Sequence, residues 1–123
     1  MKEKVLILGS NPASGKGFPH KNTTMNRIAR WAERLEVPYD FANVIPYHVD
    51  KEDPKLVDQS RILGITKTYK HILTLGNFSH HTLEKLNITH YPLPHPSSRN
   101  RKFNDKNFEE DTLKKLIASK YLS

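Results

Sequence analysis

Val5-Leu6-Ile7-Leu8-Gly9-Ser10-Asn11-Pro12 is the stretch on which the fold turns. Four apolar residues in a row, with no polar alternation, have the pattern of a short strand buried on both faces. A glycine, an amide and a proline follow at once, which is the composition of a loop. A strand of this kind belongs in a parallel sheet, where crossover helices on both sides hide both of its faces from water.

The rest of the chain supplies the crossovers. A loop rich in Gly, Pro, Ser and Asn runs from Gly9 to about Asn22. Met25, Ile28, Ala29, Ala32 and Leu35 then recur at three- and four-residue spacing, which predicts a helix capped by Thr23 or Thr24 and stopped by Pro38. Tyr39 to Ile45 reads as a second strand, with Pro46 at its exit. Asp53-Pro54 has the form of a helix start, and this helix is expected to reach about Leu63, with Gly64 as its C-cap. His71 to Leu75 is a third strand, closed by Gly76; a helix over about 78 to 86 and a short strand from Thr89 to Leu93 follow. Pro94 and Pro96 bracket a loop to Asp105, which caps a final helix carrying Phe108, Leu113, Leu116 and Ile117. Strict alternation of strand and helix predicts a single α/β domain over residues 1–123. Its architecture is three-layer α/β/α around a four-stranded parallel sheet. No repeat, low-complexity tract or linker interrupts it.

Composition narrows the function. A chain of 123 residues can bury one genuine core, and its 36% hydrophobic and 27% charged residues suit a globular protein rather than a disordered one. The absence of cysteine excludes disulfides, thiolate metal sites, a cysteine nucleophile and cysteine-ligated iron–sulfur clusters. No stretch approaches the ~18 apolar residues of a membrane span, and the early apolar run is too short for a signal-peptide core. The expectation is an intracellular protein, cytoplasmic or nucleoid-associated, with no membrane partner. A net charge of +7 favours contact with polyanions, and Arg99, Arg101 and Lys102 crowd one short segment ahead of Glu109, Glu110 and Asp111.

Ligands of open α/β sheets bind beyond the carboxyl ends of the strands. Three segments there carry unusual polar residues: Gly9-Ser10-Asn11-Pro12, Asn43, and His95-Pro96-Ser97-Ser98-Arg99-Asn100. The first loop continues to Gly15-Lys16-Gly17 and invites comparison with a phosphate-binding P-loop. Five residues intervene between its glycines where four are needed, and Gly17 stands where the metal-binding hydroxyl belongs. A nucleoside triphosphatase is therefore disfavoured.

Gly9-Ser10-Asn11-Pro12 resembles the first motif, Gly-x-Asp/Asn-Pro, of the uracil-DNA glycosylase superfamily. His95-Pro96-Ser97-Ser98-Arg99-Asn100 resembles its second motif, and is closest to the His-Pro-Ser-Pro-Arg-Asn of the single-strand-selective monofunctional branch. Phe41 to Pro46 is similar to the segment that places the base-reading Asn, and His71 to Leu83 to the family's third strand and following helix. The resemblance spans nearly the whole chain in order, although the chain is shorter than typical members.

The resemblance implies a role for each matching residue. Asn11 would hold the attacking water beside the sugar C1′; unlike an Asp, it supplies neither a proton acceptor nor a negative charge, so slow turnover is expected. The alternative for Asn11 is a side chain that merely ties down its turn. Asn43 would read the base's Watson–Crick edge, because an amide offers donor and acceptor together. Ser10 and Phe18 would complete the base pocket. His95, stiffened by flanking prolines, would donate to the pyrimidine O2 as charge builds on the departing base. Ser97, Ser98, Arg99, Arg101, Lys102 and Lys16 would contact DNA, single- or double-stranded. Ala13 stands where the most active branch has a Tyr that blocks a 5-methyl group, so 5-substituted pyrimidines should fit.

The leading expectation is thus a monofunctional glycosylase, acting as a monomer on uracil or a modified pyrimidine, with no cofactor and no metal. A catalytically weak or inactive DNA- or base-binding module of the same fold is the second reading. An enzyme acting on a free nucleotide or modified base is the third.

Overall fold

The structure, a computed structural model, describes residues 3–12, 23–95 and 106–122, the side chains of residues 23, 24 and 106 excepted. Strand β1 (Val5–Gly9) is buried along its whole length. It pairs in parallel with β2 (Tyr39–Asn43) on one side and β3 (Ile72–Leu75) on the other, and β3 pairs in parallel with β4 (Tyr91–Leu93). The sheet order is β2-β1-β3-β4.

The unbroken apolar run of β1 is explained by its two covered faces. Val5 and Ile7 share a cluster with Ile28, Trp31 and Leu35 of helix α1 (Thr23–Leu35) and with Leu113 and Leu116 of α4 (Lys106–Ala118). Leu6 and Leu8 belong to a second cluster with Ile62 of α2 (Gln59–Thr66) and Leu83 of α3 (Gly76–Lys85). The result is the expected three-layer α/β/α arrangement. Leu8 has no exposed surface, so truncating it to alanine would cost about 2–5 kcal/mol. Helices α1 and α4 are tied together by the indole N–H of Trp31, which donates to Glu109, and by an Arg34–Glu110 ion pair at 2.9 Å.

The route of the chain positions the site. From β1 the chain crosses to β2 through α1 on one face; from β2 it passes back over β1 to β3 through α2 on the other. The connections therefore diverge between β1 and β3. That divergence is the switch point at which open α/β sheets leave a crevice beyond their strands' carboxyl ends.

Several boundaries differ from the sequence reading. Helix α1 begins at Thr23 itself, so both threonines lie within its first turn. It ends with Glu36 in the left-handed region (φ 57°), and the Val37 N–H returns to the Ala32 carbonyl at 3.1 Å before Pro38. Asp53-Pro54 starts only a 3-10 turn, Pro54–Leu56. The helix proper is capped by Asp58, whose carboxylate accepts from the Arg61 N–H at 3.1 Å. Two aspartates five residues apart offered rival caps, and the later one delivers Ile62 into the core. Gly64 consequently lies within α2 and does not end it.

Helix α3 starts two residues early, at Gly76. Strand β2 ends at Asn43, yet Val44 and Ile45 still donate to the carbonyls of Gly9 and Ser10 at 2.9 Å, following β1 outward. Strand β4 is only three residues long and first meets β3 at Leu73. Ahead of it, the Tyr121 hydroxyl takes the place of a strand, accepting from the Ile72 N–H at 2.9 Å and donating to its carbonyl at 3.2 Å. Ile117 is half exposed on the outer side of α4. The expected Asp105 cap lies outside the described residues. Among the described residues no helix is long and apolar enough to cross a membrane.

Candidate functional site

All four strands are parallel, so their carboxyl ends form one rim. Read across the sheet, that rim presents Asn43 on β2, Gly9 leading to Asn11 on β1, Gly76 after β3 and His95 after β4. A glycine ends one inner strand, β1, and another follows directly on the second, β3. The two outer strands both deliver a polar side chain, and each leans inward over the neighbouring glycine.

The geometry is tight on both sides. A Cβ at Gly9 would fall 2.6 Å from the Asn43 Oδ1 and 3.1 Å from the Phe41 ring. The Asn43 amide therefore rests on the bare Cα of Gly9, in a register that places the two residues opposite one another. At Gly76 a Cβ would fall 3.3 Å from both Cβ and Cδ2 of His95. Gly76 also has φ +84°, a conformation that a side chain resists. Edge strands three spacings apart, roughly 14 Å, thus send their functional groups over inner strands only about 5 Å apart. Those inner strands are the two that flank the switch point.

The segment after β2 stretches across the rim and links these residues. Val49 donates its N–H to the Asn11 Oδ1 at 3.4 Å, a long hydrogen bond. His48 Nδ1 lies 3.0 Å from the Pro12 carbonyl, and because that carbonyl can only accept, Nδ1 carries the hydrogen. Further along, the Glu52 carboxylate acts on His95. The His95 residue is exposed, yet its ring base is packed on Gly76. That burial draws its pKa below the ordinary value, and the Glu52 charge opposes the shift.

Asn11 has a consequence for chemistry. The Val49 N–H fixes the carbonyl end of its amide toward the loop, so the NH2 end is the one left facing elsewhere. An NH2 group donates to a water and does not draw a proton from it. Ser10 is buried, with its carbonyl engaged by the Ile45 N–H. Ala13, Lys16, Phe18, Ser97, Ser98, Arg99, Arg101 and Lys102 lie outside the described residues.

Sequence reasoning passed over Arg61. This residue sits in the first turn of α2 and its Nη1 donates to the Asn43 carbonyl at 3.0 Å, fixing the backbone that carries the amide. Nothing in the sequence separates it from the other basic residues, because the bond depends on the late start of α2. A groove lined by Pro54, Val57, Phe78, Thr82 and Leu86 opens between the 3-10 turn and α3, away from Asn43 and His95. Gln59, His81 and Lys85 also line it, but it holds none of the rim residues, so the rim is the better candidate. One group of side chains outside the rim has the makings of a cation site: His80, His81 and Glu84 on α3.

The family model of the Uracil DNA glycosylase superfamily matches residues 1–117 of the chain. No curated protein matches it.

Proposed function

Since the chain belongs to the uracil-DNA glycosylase superfamily, whose chemistry is the excision of bases from DNA, we propose that it is a monofunctional DNA glycosylase. Its substrate on this reading is a flipped uracil or 5-substituted pyrimidine. The observation that carries the proposal is the inward lean of Asn43 and His95 over Gly9 and Gly76, on the two strands flanking the switch point.

In this reading Asn43 pairs with the base's Watson–Crick edge and His95 faces its O2. Water adds to C1′ as the C1′–N1 bond breaks, and the bonding electrons leave with the base. The charge that gathers on O2 meets the His95 N–H, and the water's surplus proton passes to solvent. A neutral imidazole suits this task, because it donates a hydrogen bond without first having to acquire a proton. The lowered pKa of His95 favours that neutral form near pH 7. From the sequence, the small Ala13 would admit a 5-substituent, and the basic residues from Arg99 to Lys102 would contact the phosphates.

The test uses single- and double-stranded oligonucleotides carrying uracil or 5-hydroxymethyluracil, followed by alkaline cleavage at abasic sites. Product is expected from the wild type, reduced about 100-fold or more in His95→Ala. Borohydride should trap no protein on DNA, since no lysine amine takes part. His95→Ala with full excision would overturn the role given to that ring.

A second reading is favoured by one contact. With its carbonyl turned to Val49, Asn11 is a poor partner for an attacking water, and the same rim would then bind a base without cleaving it. Measurable affinity for DNA with no product at stoichiometric protein would select this reading. Equal affinity for a mononucleotide and an oligonucleotide would instead point to a free nucleotide as the ligand.

A further inference from the structure

Helix α3 carries His80 and His81 side by side, with Glu84 one turn on. Residues three and four apart share a helix face, and the Glu84 Oε1 accordingly lies 3.0 Å from the His81 Nδ1 and 3.4 Å from the His80 Nε2. A ligand atom from each of the three lies within 4.8 Å of the other two. A fourth residue arrives from the segment between α3 and β4: His90 Nε2 is 2.7 Å from His80 Nδ1, and His90 Nδ1 is 2.7 Å from the Ile88 carbonyl.

Counting hydrogens along this chain decides what it is for. The Ile88 carbonyl can only accept, so the His90 Nδ1 carries a hydrogen. In a neutral His90 the Nε2 is then a bare lone pair, and the short contact to His80 requires the His80 Nδ1 to be the donor. That leaves the His80 Nε2 as a lone pair too, and it faces a carboxylate oxygen. A lone pair and a carboxylate oxygen 3.4 Å apart invite a positive charge between them, either a proton or a metal ion. His81 brings a third donor atom to the same oxygen.

We propose that His80 Nε2, His81 Nδ1 and Glu84 Oε1 form a binding site for a divalent transition-metal ion, with His90 as the positioning residue that orients His80. Metal–nitrogen and metal–oxygen bonds of about 2.0–2.2 Å in a tetrahedron put neighbouring ligand atoms roughly 3.3–3.6 Å apart, near the 3.0 and 3.4 Å that separate Glu84 Oε1 from the two histidine nitrogens. Two imidazoles and one carboxylate select Zn2+, Ni2+, Co2+ or Cu2+ over Mg2+ and Ca2+, which prefer oxygen. His81 and Glu84 are exposed, so the ion reaches the site from solvent, and water completes its coordination. A ligating histidine whose other ring nitrogen donates to a fixed acceptor is the usual device for holding tautomer and orientation, and His90 supplies that acceptor. The site lies apart from the rim and does not depend on the glycosylase reading.

Titration calorimetry of the chelator-stripped, untagged chain with ZnCl2 tests the proposal, with CoCl2 absorption reporting coordination geometry. One ion per chain is expected. His81→Ala and Glu84→Gln change exposed side chains and should each weaken binding at least tenfold, with the metal-free melting temperature unaltered. His90→Ala should weaken binding about tenfold without abolishing it, and shift the Co2+ spectrum. His48→Ala, which removes a histidine outside α3 whose ring meets Asp50 and the Pro12 carbonyl, should leave the affinity unchanged. The absence of stoichiometric Zn2+ binding would overturn the site, as would binding insensitive to both His81→Ala and Glu84→Gln.

Discussion

Replacing Gly76 with alanine perturbs two things that can be measured separately. The backbone there has φ +84°, and an L-residue held in such a left-handed conformation costs about 1–2 kcal/mol. For a chain of 123 residues that corresponds to a melting temperature lower by roughly 4–8 °C. The new methyl group also lies 3.3 Å from His95 Cβ and Cδ2, so the ring must retreat by a few tenths of an ångström. A misplacement of 1 Å near the reacting bond is worth about 100-fold in rate, so this smaller one is worth several-fold to about tenfold. Single-turnover excision from a uracil-containing oligonucleotide reads the rate, thermal unfolding reads the stability, and the His95 ring resonances report the displacement directly. Gly76→Asn separates the two effects, since asparagine tolerates the left-handed region but still brings a Cβ. It should regain part of the stability and none of the rate. Wild-type excision and unshifted His95 resonances in Gly76→Ala would refute the idea that the glycine seats the histidine.

Other consequences follow from individual positions. Gly64 lies within α2 with nothing within 4 Å of its missing Cβ, so Gly64→Ala should stabilise the fold by about 0.5–1 kcal/mol in urea denaturation. Thr74 is fully buried in β3 and its hydroxyl has no hydrogen-bond partner among the described residues. Thr74→Val should therefore raise stability by about 1 kcal/mol, measured the same way. Because burial lowers the His95 pKa from 6.5, the unfolded chain takes up a proton there more readily than the folded one. The contribution of His95 to stability is present above pH 6.5 and lost as pH falls through the depressed value. The urea midpoint of the wild type should accordingly drop further between pH 7.5 and pH 5 than that of His95→Gln.

The parts legible in sequence were those written in contiguous residues. The four apolar residues of β1 announced a doubly covered strand, and the glycines ending β1 and β3 announced the rim. What those glycines do was not legible. Gly9 and Gly76 read as strand terminators, whereas their missing side chains are the seats of Asn43 and His95, residues that reach them only through strand pairing. The start of α2 was misjudged because Asp53 and Asp58 both carry a cap signal, and burial of Ile62 decides between them. Arg61 was hidden by the same shift. The histidine cluster was half visible, in His80, His81 and Glu84 at helical spacing; His90 joins it only because the chain doubles back after α3.

The seating of the two rim side chains has an origin that limits how it can change. It depends on two absent side chains, one at the end of β1 and one just after β3, and not on the packing between layers. A single methyl group at either glycine is enough to lift the group that rests there, whereas a truncation deep in either core cluster leaves both seats in place.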